Sequence, residues 1–283
     1  MAGGFPTLIA DALGVDVATT ERLGGGDVAE SFRVTLADGA TVFAKRHRHA
    51  PPGFFSTEAA GLAWLGEPAV LMVPGALAVS DDPAFLVLEW IEPGRPTPTT
   101  EVELGRGLAA LHAQGAPCFG RTDRRTTGSR ALPNEPCDTW VEFYAERRLR
   151  PLARLAADAL PEQSITALHD IADRLDDLGG PAEPPARLHG DLWAGNRLVG
   201  RGGVSWLIDP AAHGGHREFD LAMMRLFGGF GDDCYAAYAE ATPLADGWQQ
   251  RVPLHQLAPL VVHAIKFGGG YVAATAQALT ALR

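Results

Sequence analysis

The chain has 283 residues, which is long enough for one or two domains with a substantial buried core. Its hydrophobic content of 46% is ordinary for a globular protein, and no apolar run approaches the ~20 residues that a membrane-spanning helix needs. The net charge of −10 disfavours nucleic acids and anionic membranes as partners. Three scattered cysteines argue against a disulfide framework or a metal cluster, and the N-terminus lacks the features of a signal peptide. We expect a cytoplasmic protein and a monomer.

The first third of the chain has the pattern of a β-sheet with strands joined by tight turns. A helix predicted over 5–14 precedes a strand, the glycine triplet 24–26 and two strand-like runs at 30–37 and 40–47. The pair Asp38-Gly39 joins these runs, and Asp-Gly between alternating runs strongly indicates a hairpin. A helix over 56–65 and strands over 75–80 and 85–91 follow. The pattern therefore predicts a sheet-rich first lobe.

A connector rich in turn residues, 92–98, marks a change in composition. Downstream, two short strand-like runs, 197–199 and 204–208, interrupt a largely helical pattern. The predicted helices are 101–114, 138–159, 165–178, 219–227, 232–241, 249–266 and 272–282. The sequence thus predicts an α+β fold of two lobes, an antiparallel-sheet N-terminal lobe at 1–91 and a mostly helical C-terminal lobe at 92–283, with the active site between them.

The strongest functional signal is the segment 188–196, Leu-His-Gly-Asp-Leu-Trp-Ala-Gly-Asn, followed by Leu-Ile-Asp-Pro at 207–210. Asp191 and Asn196 have the spacing of the aspartate and asparagine in the catalytic loop of protein kinases, and Asp209 follows a short predicted hairpin. Phosphoryl transfer needs a carboxylate to orient the attacking hydroxyl, and oxygen ligands to hold Mg²⁺ against the phosphates. We predict Asp191 as the catalytic base and Asn196 and Asp209 as Mg²⁺ ligands. Simple turn formation is the alternative for the first two.

Upstream residues complete a nucleotide site of the kinase type. Only two of the 24 cationic residues are lysines, so a lysine at position 45 is informative. Lys45 lies in a strand-like run where kinases keep the lysine that contacts the α- and β-phosphates of ATP, and Glu58 on the next helix could pair with it. The alternatives are a surface lysine and an exposed helical glutamate.

Two further segments are predicted to contact ATP. Gly24, Gly25 and Gly26 lie between strands, where a backbone can approach phosphates without a Cβ in the way. The strand 85–91 reaches the lobe boundary, where the carbonyl of Glu89 and the N–H of Ile91 could bond adenine. A flexible turn and a plain core strand are the alternatives.

The segment 189–196 resembles the signature of the fructosamine-3-kinase (ketosamine-3-kinase) family, a branch of the aminoglycoside-phosphotransferase-like kinases. A tryptophan two residues after the aspartate separates this branch from relatives such as choline kinases. Further similar segments lie at 24–26, 108–112, 119–120, 140–144, 148–149, 215–224 and 226–230, so the resemblance extends over nearly the whole chain. The resemblance implies ATP-dependent phosphorylation of the 3-hydroxyl of fructosamines and ribulosamines on proteins or free amino acids, a deglycation repair activity.

Residues around the catalytic segment receive roles in substrate binding or support. We predict that Trp193, His216 and Glu218 contact the substrate, although Trp193 could instead fill a gap beside the loop. His189 is expected to support the catalytic loop, and the resemblance implies that Asp220 hydrogen-bonds it. His112 is expected to be a core histidine. The turn 227–230 could wall the acceptor site, and a helix C-cap explains its glycines equally well.

Two departures from the family pattern leave other functions open. Many members have a cysteine where this chain has Asp27, which argues against redox control here. The run 124–128 differs from the Asp-Asn-x-Ile-Gly of relatives, and the arginines of 121–130 form either a solvated loop or an anion contact. A kinase of another small molecule, such as an aminoglycoside, an amino alcohol or a plain sugar, is one alternative. A kinase-like binding protein without catalysis is the other.

Overall fold

The computed structural model describes residues 4–24, 29–124, 126–127 and 131–283. The chain divides into two compact units. Unit 1 comprises Met1–Thr100 and Leu198–Asp209, and unit 2 comprises Glu101–Arg197 and Pro210–Arg283. The sequence prediction of lobes at 1–91 and 92–283 did not include the return of the chain to unit 1 at 198–209.

The described residues form the following helices and strands. The helices are α1 (Phe5–Leu13), α2 (Phe54–Gly66), α3 (Thr100–Ala113), α4 (Trp140–Tyr144), α5 (Arg150–Leu155), α6 (Glu162–Asp173), α7 (Leu175–Leu178), α8 (Glu218–Phe227), α9 (Asp232–Ala241), α10 (Trp248–Phe267) and α11 (Gly270–Ala281). The strands are β1 (Val17–Leu23), β2 (Glu30–Leu36), β3 (Thr41–Arg46), β4 (Ala76–Asp81), β5 (Ala84–Glu89), β6 (Thr126–Thr127), β7 (Leu132–Pro133), β8 (Ala186–Leu188), β9 (Arg197–Val199), β10 (Ser205–Leu207) and β11 (His213–Gly215).

Unit 1 contains a five-stranded antiparallel sheet with the order β1-β2-β3-β5-β4. The hairpin predicted at Asp38-Gly39 is confirmed as the connection between β2 and β3. Gly39 has φ +88°, a left-handed conformation that glycine adopts without steric cost. The carboxylate of Asp38 accepts a hydrogen bond from the N–H of Ala40, which closes the turn.

Alternation along β3 and β5 decides which side chains meet which helix. Successive residues of a strand point to opposite faces of the sheet. One face packs against α1 and the other against α2. The α1 face buries Val34, Val42, Ala44, Phe85 and Val87 with Phe5 and Ile9. The α2 face carries Phe43, Leu86 and Leu88, packed with Phe55 and Leu62. Lys45 has the same parity as Phe43, so its side chain leaves the sheet on the side of α2.

The segment after β5 is attached to the β9–β10 hairpin by backbone hydrogen bonds. The N–H of Gly94 donates to the carbonyl of Val199, and the N–H of Arg201 donates to the carbonyl of Glu92. A Cβ on Gly94 would lie 1.9 Å from the carbonyl oxygen of Gly200, so only glycine allows this close approach. These contacts place the end of the hairpin segment, which carries Asp209, within unit 1.

Unit 2 is helical and has its own large apolar core. Helix α10 packs against α8 and α11. The core includes side chains of the segment 140–175 and of α10 and α11. Helix α10 tolerates Pro259 in its interior, where the ring removes one helical hydrogen bond. The Tyr144 hydroxyl donates to the carbonyl of Leu254 and also lies 3.4 Å from the carbonyl of His255, the group that Pro259 leaves without its helical donor. In the described part of the chain, no helix combines the length and apolar character needed to span a membrane.

The predicted α+β class, a sheet-rich first part followed by helices, is confirmed. The helix predicted over 138–159 is instead α4, a π-helical turn at Ala145–Leu149 and α5, which ends at Leu155. The sequence prediction missed β8 and β11, which pair antiparallel on either side of the catalytic segment. Each has three residues, too few for a two-residue period to be visible.

Candidate active site

The predicted nucleotide lysine lies at the centre of a three-residue ion cluster in unit 1. The Lys45 Nζ is 2.5 Å from Glu58 Oε1 and 2.7 Å from Asp209 Oδ1. Lys45 and Asp209 are 164 positions apart in sequence, so the fold alone brings them together. Lys45 is only 6% exposed, whereas the Asp209 side chain is 49% exposed. The lysine is therefore held from inside by Glu58, while Asp209 faces solvent.

The pKa values of the ion cluster reflect its burial. Burial lowers the pKa of Lys45, but the carboxylates of Glu58 and Asp209 outweigh it and hold that pKa above its ordinary value. Burial raises the pKa of Glu58 to about 7, with Lys45 opposing and Asp209 adding to the rise. Lys45 therefore stays protonated at neutral pH, and Glu58 releases its proton less readily than an exposed glutamate does.

The backbone of Asp209 is held in an unusual conformation. Its φ is +53°, in the left-handed region that residues other than glycine rarely occupy. Such conformations cost free energy and cluster at functional sites, where the surrounding structure enforces them. Asp209 lies two residues after β10, and its bond to Lys45 fixes the orientation of the carboxylate.

The other residues predicted to contact ATP lie in unit 1 or outside the described residues. Gly24 directly follows β1, and an added Cβ there would meet no atom within 4 Å, whereas Gly25 and Gly26 lie outside the described residues. Glu89 ends β5, and its carboxylate accepts a hydrogen bond of 2.9 Å from the N–H of Gly75. Ile91 follows β5 and is partly buried. Their roles stay predictions.

The catalytic segment of unit 2 is held by one buried carboxylate. Asp220, in the first turn of α8, is fully buried and accepts hydrogen bonds from the N–H of His189 at 2.8 Å and of Gly190 at 2.9 Å. Gly190 has φ +78°, and an added Cβ would lie 2.2 Å from the carbonyl oxygen of Ala211. Only glycine fits this position. This geometry agrees with the support that the sequence assigned to Asp220.

A second layer of hydrogen bonds lies behind Asp220. The Nε2 of His112 is 3.3 Å from an Asp220 carboxylate oxygen, and its Nδ1 is 2.8 Å from the hydroxyl of Tyr238. Burial alone would raise the pKa of Asp220, but the hydrogen bond from His112 and its positive potential lower it below its ordinary value. Asp220 therefore stays ionised and keeps accepting from the loop. His112 is buried in this network, as expected of a core histidine.

The predicted base and one predicted metal ligand are adjacent in the catalytic segment. The Asn196 side-chain N–H₂ donates to the Asp191 carbonyl at 2.8 Å and to its carboxylate Oδ2 at 3.0 Å. The amide oxygen is therefore the Asn196 atom that could coordinate a cation. The N–H of Asp191 donates to Nδ1 of His189, which makes this ring nitrogen an acceptor. His189 is fully buried and supports the loop, as the sequence predicted.

Trp193 is the exposed aromatic residue of the catalytic segment. It is 39% exposed and lies edge-on to Phe227 with ring centroids 5.8 Å apart. Its ring covers Gly195, because a Cβ there would lie 2.2 Å from the indole. One side of the indole is thus used in packing, while the exposed part can meet a ligand. Its predicted contact with substrate stays a prediction.

The structure places His216 and Glu218 in the interior of unit 2. Glu218 is 1% exposed and accepts hydrogen bonds from Arg251 at 2.9 and 2.5 Å. Burial alone would raise the pKa of Glu218, but bonds from His255 and Arg251 lower it to about 2. Their predicted contact with substrate stays a prediction, and their burial favours a supporting role.

Three of these interior residues, His216, Glu218 and His255, are close enough to suggest a metal centre. The N–H of Glu218, however, donates to Nδ1 of His216, so the neutral ring carries its proton on Nε2. A metal on Nε2 would need the opposite tautomer, with Nδ1 as donor. Arg251 also occupies both carboxylate oxygens of Glu218. The tautomer of His216 and the bidentate pairing of Glu218 with Arg251 both argue against a metal in this group.

Some residues that support the site escaped the sequence analysis. Arg251 is 33 positions from Glu218, so no local pattern indicates their pairing. Glu101 looked like an ordinary acid in the first turn of a helix, yet it bonds to Arg197, the residue after Asn196. Such partners depend on tertiary packing, and in one sequence no signal reveals them.

A lysine–glutamate–aspartate cluster on an antiparallel sheet, and an aspartate–asparagine pair in a helical unit, are residue sets typical of protein-kinase-like phosphotransferases. The sequence matches the family model for fructosamine kinase over residues 6–283. A probable ketoamine kinase of Synechocystis sp. is 36% identical over 87% of this chain and 84% of its own. The chloroplastic protein-ribulosamine 3-kinase of Arabidopsis thaliana is 29% identical over 93% of this chain and 82% of its own.

The chain belongs to the fructosamine kinase family. A crystal structure of a Thermobifida fusca protein described as a fructosamine-3-kinase is 41% identical and has a TM-score of 0.90, covering 99% of this chain and 98% of that one. The predicted family, the kinase-like fold and the enzyme class are thereby confirmed.

Proposed function

We propose that this enzyme transfers the γ-phosphoryl group of ATP to the 3-hydroxyl of a ketosamine, a fructosamine or ribulosamine. The observation that carries the proposal is the contact of Lys45 with Asp209, two kinase-type residues that the fold brings together across 164 positions. Family membership and the relatives named ketoamine kinase and protein-ribulosamine 3-kinase support the choice of acceptor.

Each residue of the site has one proposed task in the transfer. The Lys45 ammonium would bind the α- and β-phosphates, with Glu58 keeping it oriented from inside the unit. Asp191 would accept the proton of the 3-hydroxyl while the oxygen of that hydroxyl bonds to the γ-phosphorus. The bond from that phosphorus to the ADP oxygen breaks at the same time. Gly24, Gly25, Gly26, Glu89 and Ile91 are the proposed contacts to the rest of the nucleotide.

Asn196 and Asp209 are the residues that would hold Mg²⁺. An amide oxygen and a carboxylate are the oxygen donors that this ion prefers, and the half-exposed Asp209 carboxylate leaves room for water ligands. When bound, Mg²⁺ neutralises charge that develops on the phosphates. The amide N–H₂ of Asn196 donates to Asp191, which orients the base, and the amide oxygen is the Asn196 atom that would bind the ion.

Trp193 is the proposed contact to the acceptor sugar, because it is the exposed aromatic ring beside the base. An aromatic face suits the C–H side of a sugar and also attracts a protonated amine. His216 and Glu218 would support α8 from inside. Cytoplasmic location, a monomeric state, and the lack of nucleic-acid and membrane partners stay predictions.

A panel of acceptors with ATP and Mg²⁺ tests the proposal. Fructosyl-lysine, ribulosyl-lysine, an aminoglycoside, choline and a free ketose would each be assayed for ADP release above the rate with water alone. We expect turnover of the two ketosamines, with Asp191→Asn as the inactive control. Turnover of the aminoglycoside or of choline without either ketosamine would reject the proposed acceptor. If none of the acceptors raised ADP release above the rate with water alone, the kinase activity proposed here would be rejected.

A further inference from the structure

Glu101, in the first turn of α3, joins two segments of unit 2 that are distant in sequence. Its Oε1 accepts a hydrogen bond of 2.6 Å from Arg197, and its Oε2 accepts one of 2.8 Å from the N–H of Gly231. The Arg197 side chain is 6% exposed, so this ion pair is shielded from water on one side. Arg197 directly follows Asn196, and Gly231 directly precedes α9.

The segment 227–231, which we name the acceptor turn, also packs directly on the catalytic segment. Phe227 lies against Trp193. Gly229 has φ +87°, and a Cβ there would lie 2.5 Å from that of Ala194, so the backbones are in close contact. The ring of Phe230 lies 5.6 Å from the Arg197 guanidinium. The turn thus meets the catalytic segment at positions 227 and 229, and the residue after that segment at position 230.

Among these contacts, the bonds of Glu101 are the hydrogen bonds to a charged side chain. Hydrogen bonds to charged groups are about twice as strong as neutral ones. A carboxylate can accept from Arg197 and from the N–H of Gly231 together, one bond on each oxygen. The amide of a glutamine offers a single acceptor oxygen, and its N–H₂ would face one of these donors. No neutral side chain of the same length can make both bonds.

We propose that Glu101 is a positioning residue that fixes the acceptor turn against the catalytic segment and so sets the productive placement of the acceptor hydroxyl. The proposal rests on the proposed function, because it needs Asp191 and Trp193 to meet the acceptor. Without Glu101 the acceptor turn shifts, the acceptor binds less well, and more of the ATP is hydrolysed by water instead. Nucleotide binding, which uses the ion cluster of Lys45, is unaffected.

The test compares Glu101→Gln with Glu103→Gln. Glu103 is an exposed acid in the same first turn of α3, so its variant removes the same charge from the helix N-terminus. We expect Glu101→Gln to raise the KM for the ketosamine about tenfold and to raise the ratio of ADP released to sugar phosphate formed. The KM for ATP should stay within about twofold, and Glu103→Gln should match the wild type in every parameter.

A second variant keeps the proposal falsifiable if Glu101→Gln folds poorly, as judged by its thermal unfolding. Arg197→Lys keeps the charge but loses the planar group over Phe230, and we expect a smaller rise in the ketosamine KM. In the double variant, the rise in the ketosamine KM should be smaller than the product of the two single rises, because both substitutions disrupt the same Glu101–Arg197 pair. The role of Glu101 is overturned if both single variants keep the wild-type KM for the ketosamine and the wild-type ratio of ADP released to sugar phosphate formed. If instead the wild type turns over no ketosamine, the result rejects the proposed function itself, which is a different outcome from the failure of the Glu101 role.

Discussion

The two sets of proposed catalytic residues are held by different kinds of interaction. In unit 1, Lys45 is fixed by two carboxylates, so charge attraction decides its position. In unit 2, the catalytic segment is fixed by backbone N–H groups that donate to the buried carboxylate of Asp220. The first set is a cluster of ions, and its geometry depends on the attraction between the lysine and the two carboxylates. The second is a loop held through its backbone, and the side chain of its acid, Asp191, accepts a hydrogen bond from Asn196.

This difference predicts different consequences of substitution. Removing one ion of a buried cluster leaves the others uncompensated, so changes in unit 1 should alter nucleotide use and stability together. Weakening the anchor of a loop moves reacting groups by a fraction of an ångström, so changes in unit 2 should alter the rate more than the affinity for ATP. The substitutions below test that contrast.

The largest effect is expected for Asp191→Asn in unit 2. The amide cannot accept the hydroxyl proton, and positioned acid–base groups contribute about 10²–10⁴-fold to rates. We expect kcat to fall by that factor while the affinity for ATP, measured by calorimetry, changes little. An unchanged kcat would remove Asp191 from the mechanism. A fall in ATP affinity as large as the fall in kcat would contradict the expected difference between the two units.

Lys45→Met should give the largest effect in unit 1. The variant removes a positive charge from the phosphates and leaves the buried Glu58 without its cation, as the bond between them shows. We expect kcat/KM for ATP to fall about 10²-fold, the scale seen when one electrostatic donor is removed. The melting temperature should fall as well. Lys266→Met, at the other lysine of the chain and outside the ion cluster, is the matched control and should leave kcat/KM for ATP unchanged.

Asp220→Asn should have an intermediate effect and act through the loop. The amide can still accept one bond but loses the charge that strengthens the bonds from His189 and Gly190. We expect kcat to fall about tenfold with little change in the KM for ATP. A change in the KM for ATP equal to that in kcat would show that the loop anchor also serves the nucleotide.

The smallest effect is a pH dependence of stability from Glu58. Burial raises its pKa to about 7 in the folded protein, from an ordinary 4.5. The folded state therefore binds a proton there that the unfolded chain has released, and this group makes the free energy of unfolding fall as pH rises from 4.5 to 7. Glu58→Gln lacks the titration. The melting temperature of the wild type relative to this variant should decline across that window, and a constant difference would contradict the raised pKa.

How far the sequence predicts the site depends on whether the signal is local. Lys45, Asp191, Asn196 and Asp209 were identified because their types and spacings match one reaction, and the ion cluster confirms that Lys45 and Asp209 meet. The Asp38-Gly39 hairpin has an equally local cause.

The features that escaped prediction come from long-range packing. The three-residue strands β8 and β11 exist because they pair with each other, and neither has a pattern of its own. The pairing of Glu218 with Arg251, 33 positions away, is also revealed only by the fold. The return of 198–209 to unit 1 likewise follows from backbone bonds to the segment after β5.

The position of the new phosphate tests the central claim most directly. Wild-type enzyme would be incubated with ATP, Mg²⁺ and fructosyl-lysine, and the product examined by phosphorus–proton correlation NMR. The account predicts a phosphorus signal coupled to the proton on carbon 3 of the sugar, absent with Asp191→Asn. A phosphate on any other hydroxyl, or none on the sugar while ATP is consumed, would contradict it.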